Sequence, residues 1–321
     1  MMPTNDPWQA IDPVTPSGQI NARRSDAAHP HDFFWALDAQ GHRMLVLQSA
    51  NLDTTKSLPS LRGIVLELGS DRFSLRLVDN KDLEIFSTLC WSLIERTRTT
   101  RPGSDVLECI LTQLMRWQRF LSKERRGLLS DQEIRGLFCE LKFIESELMP
   151  RFDTDAIGFW RGPAGDPQDF AIGMTLFEVK SHLAGSLPVL MISSAEQLWH
   201  AAGDLYLVAY TIAEAAHGAS DALSLAGLVA RMRSLISLPD ILDVFDDRLQ
   251  EAGFLDHPRY AEDVFTVSSP QFFVVSGGFP RISAEVVPTG VCQLKYGIEL
   301  AACLPFEQFP DWNGLGAANG R

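Results

Sequence analysis

Cationic side chains are scarce in this chain of 321 residues: 28 Lys and Arg stand against 41 Asp and Glu, a formal net charge of −13. An exterior of that sign does not hold a polyanion by bulk attraction, which disfavours a protein that coats nucleic acid. A local basic groove with bound metal ions remains compatible with it. Cysteine is sparse as well. Its five copies, Cys90, Cys109, Cys139, Cys292 and Cys303, are odd in number and widely scattered. No Cys-x-x-Cys pair exists for a metal knuckle, and the apolar neighbours of most of them mark reduced core residues. No apolar run reaches the roughly 18 residues that a bilayer-spanning helix needs. Residues 1–18 are polar and proline-rich, so no secretory signal is visible and the expected compartment is the cytoplasm. The seven histidines, His29, His31, His42, His182, His200, His217 and His257, show no ligand spacing. No Gly-x-Ser-x-Gly elbow, Walker loop, internal repeat or low-complexity tract occurs.

What is present is ordinary globular material: 45% hydrophobic and 21% charged residues, in a length that fits two domains better than one. Residues 1–30 carry Pro, Asp, Ser and Asn with little periodicity and read as a loose arm. Residues 31–122 read as a β-rich domain with a closing helix. Strands are expected at Arg43–Gln48, Arg62–Leu68 and Arg72–Val78, and Asp82–Thr97 is open between strand and helix. Val106, Ile110, Leu114 and Trp117 recur at helical spacing within Ser104–Leu121. The charged stretch Lys123-Glu124-Arg125-Arg126 is a connector that, with Arg116 and Arg119, could also flank a nucleic-acid groove. A core is expected over residues 123–215 and an α/β extension over 216–321.

Within the core, Ser130-Asp131-Gln132-Glu133 has the form of a capping box. The helix it opens is expected to run to Leu148, with Ile134, Leu137, Phe138, Leu141 and Ile144 on its apolar stripe and Glu140 close to that stripe. A strand at Pro188–Ile192, a helix from Ser194 to Ala202 and a strand at Leu205–Ile212 follow the segment of greatest interest. Beyond them, helices at Leu223–Leu238 and Pro239–Ala252 and strands at Val264–Val267, Phe272–Val275 and Val291–Leu304 are expected.

That segment is Asp169-Phe170-Ala171-Ile172-Gly173-Met174-Thr175-Leu176-Phe177-Glu178-Val179-Lys180. Gly173-Met174 suits the two-residue loop of a type II′ hairpin. The register then sets Ile172 against Thr175, Phe170 against Phe177, and Asp169 against Glu178. Carboxylates directly opposite in a strand pair have Cβ atoms about 5 Å apart and repel, so a cation between them is called for. Lys180, two residues on, shares the face of Glu178. Two acids and an ammonium converging in this way make a divalent-metal site with a charged neighbour, which is what phosphodiester hydrolysis requires.

Asp169 followed by Glu178-Val179-Lys180 resembles the PD-(D/E)XK nuclease motif, although Gln168 separates Pro167 from the aspartate. Trp160-Arg161-Gly162-Pro163, Gln168-Asp169-Phe170, Phe177-Glu178-Val179-Lys180-Ser181 and Ile192-Ser193-Ser194-Ala195-Glu196-Gln197-Leu198 resemble a bacterial family of PD-(D/E)XK motif proteins. The close resemblance covers about residues 130–210. It implies an α/β fold with a restriction-endonuclease-like core, a central mixed sheet flanked by helices. It also implies Mg²⁺-dependent DNA cleavage in phage defence or restriction, with Mn²⁺ as the substitute ion. Carried onto this chain, Asp169 and Glu178 hold the metal, Glu140 is an outer ligand, and Lys180 positions water or stabilises the oxyanion. Gln197 supports the lysine or touches substrate, and Arg161, Ser193 and Ser194 contact phosphates. Plainer roles stay open for four of these: Glu140 as a helix-edge acid, Gln197 as a helix-surface amide, Ser193 as an N-cap, Arg161 as a surface charge. A homodimer would let two sites cut two strands. The alternative is a non-catalytic nuclease-fold subunit that binds DNA or a partner protein in a defence complex.

Overall fold

A computed structural model describes residues 6–9, 11–12, 20–98, 100, 106–122, 128–200, 202–283 and 286–318, with the side chains of 119–122 and 316–318 outside the description. The connector Lys123–Arg126 and the Arg119 side chain therefore lie outside the described residues. The chain forms two compact units, Met1–Leu128 with Leu255–Pro258, and Leu129–Phe254 with Arg259–Arg321. Among the described residues no helix is long and apolar enough to cross a membrane.

The first unit is an antiparallel sheet backed by two helices. Its strands are β1 (Asn21–Arg24), β2 (Asp32–Leu37), β3 (Arg43–Gln48), β4 (Ile64–Leu68) and β5 (Arg72–Leu77), in the order β1-β2-β3-β5-β4. Alternation along β3 sends Leu45 and Leu47 into the main core, while Met44 and Val46 join a small cluster with Ala36 on the other face. The helices α1 (Leu83–Thr97) and α2 (Val106–Ser122) supply Phe86, Leu89, Leu93, Ile110, Leu114 and Trp117 to the main core. Asp82–Thr97, open between strand and helix in the sequence, is thus settled as helical from Leu83.

The loose N-terminal arm needs correction at its described residues. Trp8 is 2% exposed, donates its indole N–H to the Met44 carbonyl at 2.9 Å, and meets Trp35 edge-on. Strand β1 pairs along its whole length with β2. His29 and His31 are also buried. His29 accepts the His31 backbone N–H on Nδ1 and reaches the Ile94 carbonyl from Nε2. One large aromatic with a satisfied N–H outweighs the polar composition around it.

The second unit carries the candidate site. Helix α3 (Asp131–Phe143) starts at the expected capping box, in which Ser130 and Glu133 satisfy each other's backbone N–H groups. The helix does not run regularly to Leu148. Ile144–Leu148 is a π turn, followed by α4 (Met149–Phe152). Pro150 explains the change, because its ring would meet the Ser146 carbonyl in a regular helix.

The strands β6 (Phe170–Ile172), β7 (Thr175–Leu183), β8 (Val189–Ile192), β9 (Asp204–Glu214) and β10 (Leu223–Ser224) follow. Helices α5 (Leu225–Leu235) and α6 (Pro239–Glu251) follow, then β11 (Val264–Val267), β12 (Gln271–Val274), β13 (Tyr296–Glu299), α7 (Leu300–Cys303) and α8 (Trp312–Ala318). The order β10-β11-β9-β7-β6 defines the six-stranded sheet, with β12 on the same edge of β9 as β11. Only the β7–β9 pairing is parallel among its described ladders. Strands from the segment expected as a C-terminal extension therefore complete the same sheet as the hairpin. Strand β8 pairs instead with β13.

Two other expectations give way. The strand expected over Val291–Leu304 shrinks to Tyr296–Glu299, since Gln293 has φ of 56° and the chain turns into α7 after Glu299. The helix expected from Ser194 to Ala202 is a single 3₁₀ turn, Ala195–Leu198. Gln168 gives the reason. Its amide N–H₂ donates to the carbonyls of Glu196, Gln197 and Trp199 at 2.7, 3.3 and 3.1 Å, occupying acceptors a longer helix would need.

Where β9 begins, Gly203 has φ of 90°, and a Cβ there would collide with the Met174 carbonyl of the hairpin loop. Gly203→Ala combines a left-handed backbone with a clash against main chain, and strain of this kind costs about 2 kcal/mol or more. Thermal unfolding followed by circular dichroism is expected to show a Tm lowered by several degrees.

Candidate active site

The hairpin has the register read from the sequence: Phe170 pairs with Phe177, Ala171 with Leu176 and Ile172 with Thr175, and Gly173 takes φ of 59°. The ladder stops at Phe170. Asp169 does not stand as a free carboxylate opposite Glu178, because its Oδ2 accepts the backbone N–H of Val179 at 2.7 Å. The carboxylate is thereby fixed in direction beside β7.

Phe177 packs against Phe143 of α3 with ring centroids 5.5 Å apart. Alternation turns Leu176, Glu178 and Lys180 to the opposite face, where Leu176 packs on the cluster containing Leu190, Ile192 and Leu207. Glu178 is 0% exposed there. Lys180 Nζ lies 2.5 Å from Glu178 Oε1, with the lysine side chain 16% exposed. Glu178 Oε2 is buried without a hydrogen-bond partner.

Glu140 belongs to the same constellation. Its Oε2 accepts the indole N–H of the buried Trp160 at 2.8 Å. Burial pushes its carboxyl up to about 8, and the Asp169 carboxylate adds to that shift. Burial likewise raises Asp169, opposed by the charge of Lys180 and the Val179 N–H. Glu178 is held well above the usual carboxylate range by burial first and by Asp169 second. Burial works against the Lys180 charge, but Glu178, Asp169 and Glu140 outweigh it and its pKa rises. The lysine is therefore an ammonium at neutral pH. Three carboxyl groups around it leave a surplus of two negative charges when all ionise, which protons or a cation must offset.

Residues around Asp169 hold it in place. The backbone N–H groups of Arg161 and Gly162 both donate to its carbonyl oxygen, at 2.7 and 3.0 Å. A Cβ on Gly162 would stand 2.9 Å from Asp169 Oδ1, so this approach depends on glycine. The Trp-Arg-Gly-Pro stretch thus serves Glu140 through its indole and Asp169 through its backbone.

The remaining sequence candidates are placed as follows. Arg161 is exposed, and its described role is the backbone bond to Asp169. The Gln197 amide oxygen accepts the Ser193 N–H at 2.7 Å and so closes the turn after β8. Ser193 is exposed and is not the N-cap; that position belongs to Ser194, whose hydroxyl makes no cap bond but helps hold the Glu196 carboxyl low, after the local backbone N–H. None of these four has a described side-chain bond to Lys180 or the three acids. Sequence reasoning missed Trp160 as the partner of Glu140 and Gln168 as the strap of the neighbouring turn.

A family model described as "Putative PD-(D/E)XK family member, (DUF4420)" matches residues 4–301, so the chain belongs to that family. The mixed sheet flanked by helices agrees with a restriction-endonuclease-like fold. No curated protein and no solved structure matches the chain.

The raised carboxyl of Glu140 has a consequence for stability. Its folded-state pKa lies above the unfolded value of 4.5, so its stabilising contribution is complete below that value and is lost as pH climbs towards about 8. In EDTA, wild type and Glu140→Gln are expected to unfold at similar temperatures near pH 4.5. Between pH 5 and 8 the wild type should fall progressively behind the variant, as differential scanning fluorimetry would read.

Proposed function

We propose that this protein is a Mg²⁺-dependent DNA endonuclease of the PD-(D/E)XK type, acting in the cytoplasm in phage defence or restriction. The observation that carries the reading is the cluster of buried Glu178 with half-buried Asp169 and Glu140 around Lys180, with Glu178 Oε2 unpartnered. A surface ion network does not account for it, since Glu178 is 0% exposed and its second oxygen, Oε2, is buried with no partner although Lys180 engages the first.

The donor set fits Mg²⁺, with Mn²⁺ as a substitute. Both prefer hard carboxylate oxygens, and Mg²⁺ is commonly held by one or two carboxylates together with water and substrate phosphate. Asp169 and Glu178 would hold the ion, and Glu140 would act from the outer shell. When bound, the cation supplies Lewis acidity for hydrolysis and neutralises charge on the phosphodiester. Asp169 is kept aimed by the Val179 N–H. Lys180 uses one of its three N–H donors on Glu178 and has two left to orient water or meet the developing oxyanion. The acidic exterior is no obstacle once the groove is neutralised locally. Two copies would serve the two strands of a duplex.

One observation favours a second reading, a non-catalytic nuclease-fold subunit that binds DNA or a partner protein. Among the described residues, no group of three or more His, Cys, Asp or Glu side chains is arranged to hold a metal ion, and the Lys180 ammonium already occupies one Glu178 oxygen.

Supercoiled plasmid incubated with Mg²⁺ or Mn²⁺ against EDTA separates the two. Metal-dependent nicking or linearisation is expected, lowered about 10²–10³-fold in Asp169→Asn and Lys180→Ala, the scale of losing a transition-state contact. Activity that survives both substitutions would dismiss the site. Absence of Mg²⁺ and Mn²⁺ binding by calorimetry would favour the inert subunit.

A further inference from the structure

We propose that the turn following β8 docks an unpaired DNA strand, with a base stacked on the Trp199 indole and its phosphate at Arg281. The inference rests on the nuclease reading and names the class of substrate: DNA with unpaired bases beside the scissile phosphate. Trp199 is 37% exposed, the most open of the seven tryptophans. An indole left in water forgoes the burial that its size rewards, and an open aromatic face is what stacking on a nucleobase uses.

Two ties place this turn at the acid cluster. The buried Gln168, next to Asp169 in the chain, donates to the Trp199 carbonyl at 3.1 Å. Leu198 is fully buried in the cluster on which Leu176 packs, on the face of β7 that carries Glu178 and Lys180. The Trp199 N–H in turn donates to the Glu196 carbonyl at 3.2 Å. The indole therefore projects from a backbone fixed on both sides.

The charge around the turn has the sign a phosphate needs. Arg281 donates from Nη1 to the Leu198 carbonyl, the peptide that leads into Trp199. Among the described residues it pairs with no carboxylate, and its remaining N–H donors have no described acceptor. Lys295 precedes Tyr296 and Ser193 follows Ile192, so the two flank one end of the β8–β13 ladder. Lys295 is exposed and likewise pairs with no carboxylate among the described residues. Glu196, the acid of the turn, has its carboxyl engaged by its own backbone N–H and the Ser194 hydroxyl. In a chain of net charge −13, two cations without an acid beside one open indole are a local exception.

A duplex hides both faces of each internal base, so a flat side chain reaches a base only where the stack is broken. A base and its own phosphate are joined through one sugar. An indole and a guanidinium held at the preceding peptide serve the two ends of such a nucleotide, and the guanidinium fork matches phosphate oxygens.

The test reads binding by fluorescence anisotropy in Ca²⁺ on three labelled DNAs: a thymidine strand, an abasic strand of equal length, and a blunt duplex. The abasic strand keeps every charge and removes every base. Full-length wild type is expected to bind the thymidine strand about ten-fold more tightly than the abasic one, the scale of one base stack. Trp199→Ala should erase that difference by weakening the thymidine strand alone, and Trp199→Phe should retain part of it. Arg281→Gln should weaken both strands by a similar factor. It should also lower the slope of log Kd against log salt by about 0.7, one phosphate contact on a single strand. Circular dichroism checks that the variants fold. Equal binding of the two strands by wild type, or equal losses on all three DNAs in Trp199→Ala, overturns the proposal. If wild type prefers the thymidine strand but cuts no plasmid with Mg²⁺ or Mn²⁺, the nuclease reading fails and the surface stands. If none of the three DNAs binds, the surface fails, whatever the plasmid assay gives.

Discussion

The contact between Lys180 and the fully buried Glu178 is the constraint around which the second unit is arranged. Placing a carboxylate at 0% exposure within an apolar cluster is tolerable only with an opposite charge in contact, and breaking a buried pair by removing one partner typically costs about 3–5 kcal/mol. Everything adjacent serves that pair. The parallel ladder to β9 keeps β7 in the sheet interior, α3 covers the reverse face through Phe143, and the hairpin brings Asp169 to the same neighbourhood. Because the acids outnumber the ammonium, the arrangement is electrostatically incomplete by itself. This incompleteness, which protons or a cation must make up, distinguishes the cluster from a balanced ion pair.

Much of this was legible in the sequence because it is local. Gly173 marks a two-residue turn, and once the turn is placed the register of Phe170 with Phe177 follows by counting. Ser130 and Glu133 announce a helix start for the same reason: both partners lie within one turn. Alternation of apolar residues located β3, β5, β9 and β11 to within a residue or two. The family resemblance located Glu140, which no local rule would have chosen among the acids of its helix.

What escaped depends on partners far apart in the chain. The Trp160 indole meets Glu140 across 20 residues, and the Gln168 amide meets carbonyls 28 to 31 residues on. A periodic pattern carries no signal for such bonds. The β8–β13 pairing joins segments more than a hundred residues apart, and β13 is too short and too interrupted to be delimited by composition. Trp8 was lost among polar neighbours because one deeply packed ring suffices to anchor a segment whose average hydropathy is low. The Val179 N–H bond to the Asp169 carboxylate was not foreseen, since the period-2 rule describes paired residues and the ladder ends one residue earlier.

Gln168 occupies the place where the motif usually carries proline, and that exchange alters how the loop is tied down. Proline stiffens the approach to the aspartate through its ring but can donate nothing; the amide latches that approach to the turn following β8 at three carbonyls. The residue next to Asp169 is thereby tied to the turn that follows β8. A molecule built with the stricter dipeptide would lack this linkage and would have to brace the same loop by other means.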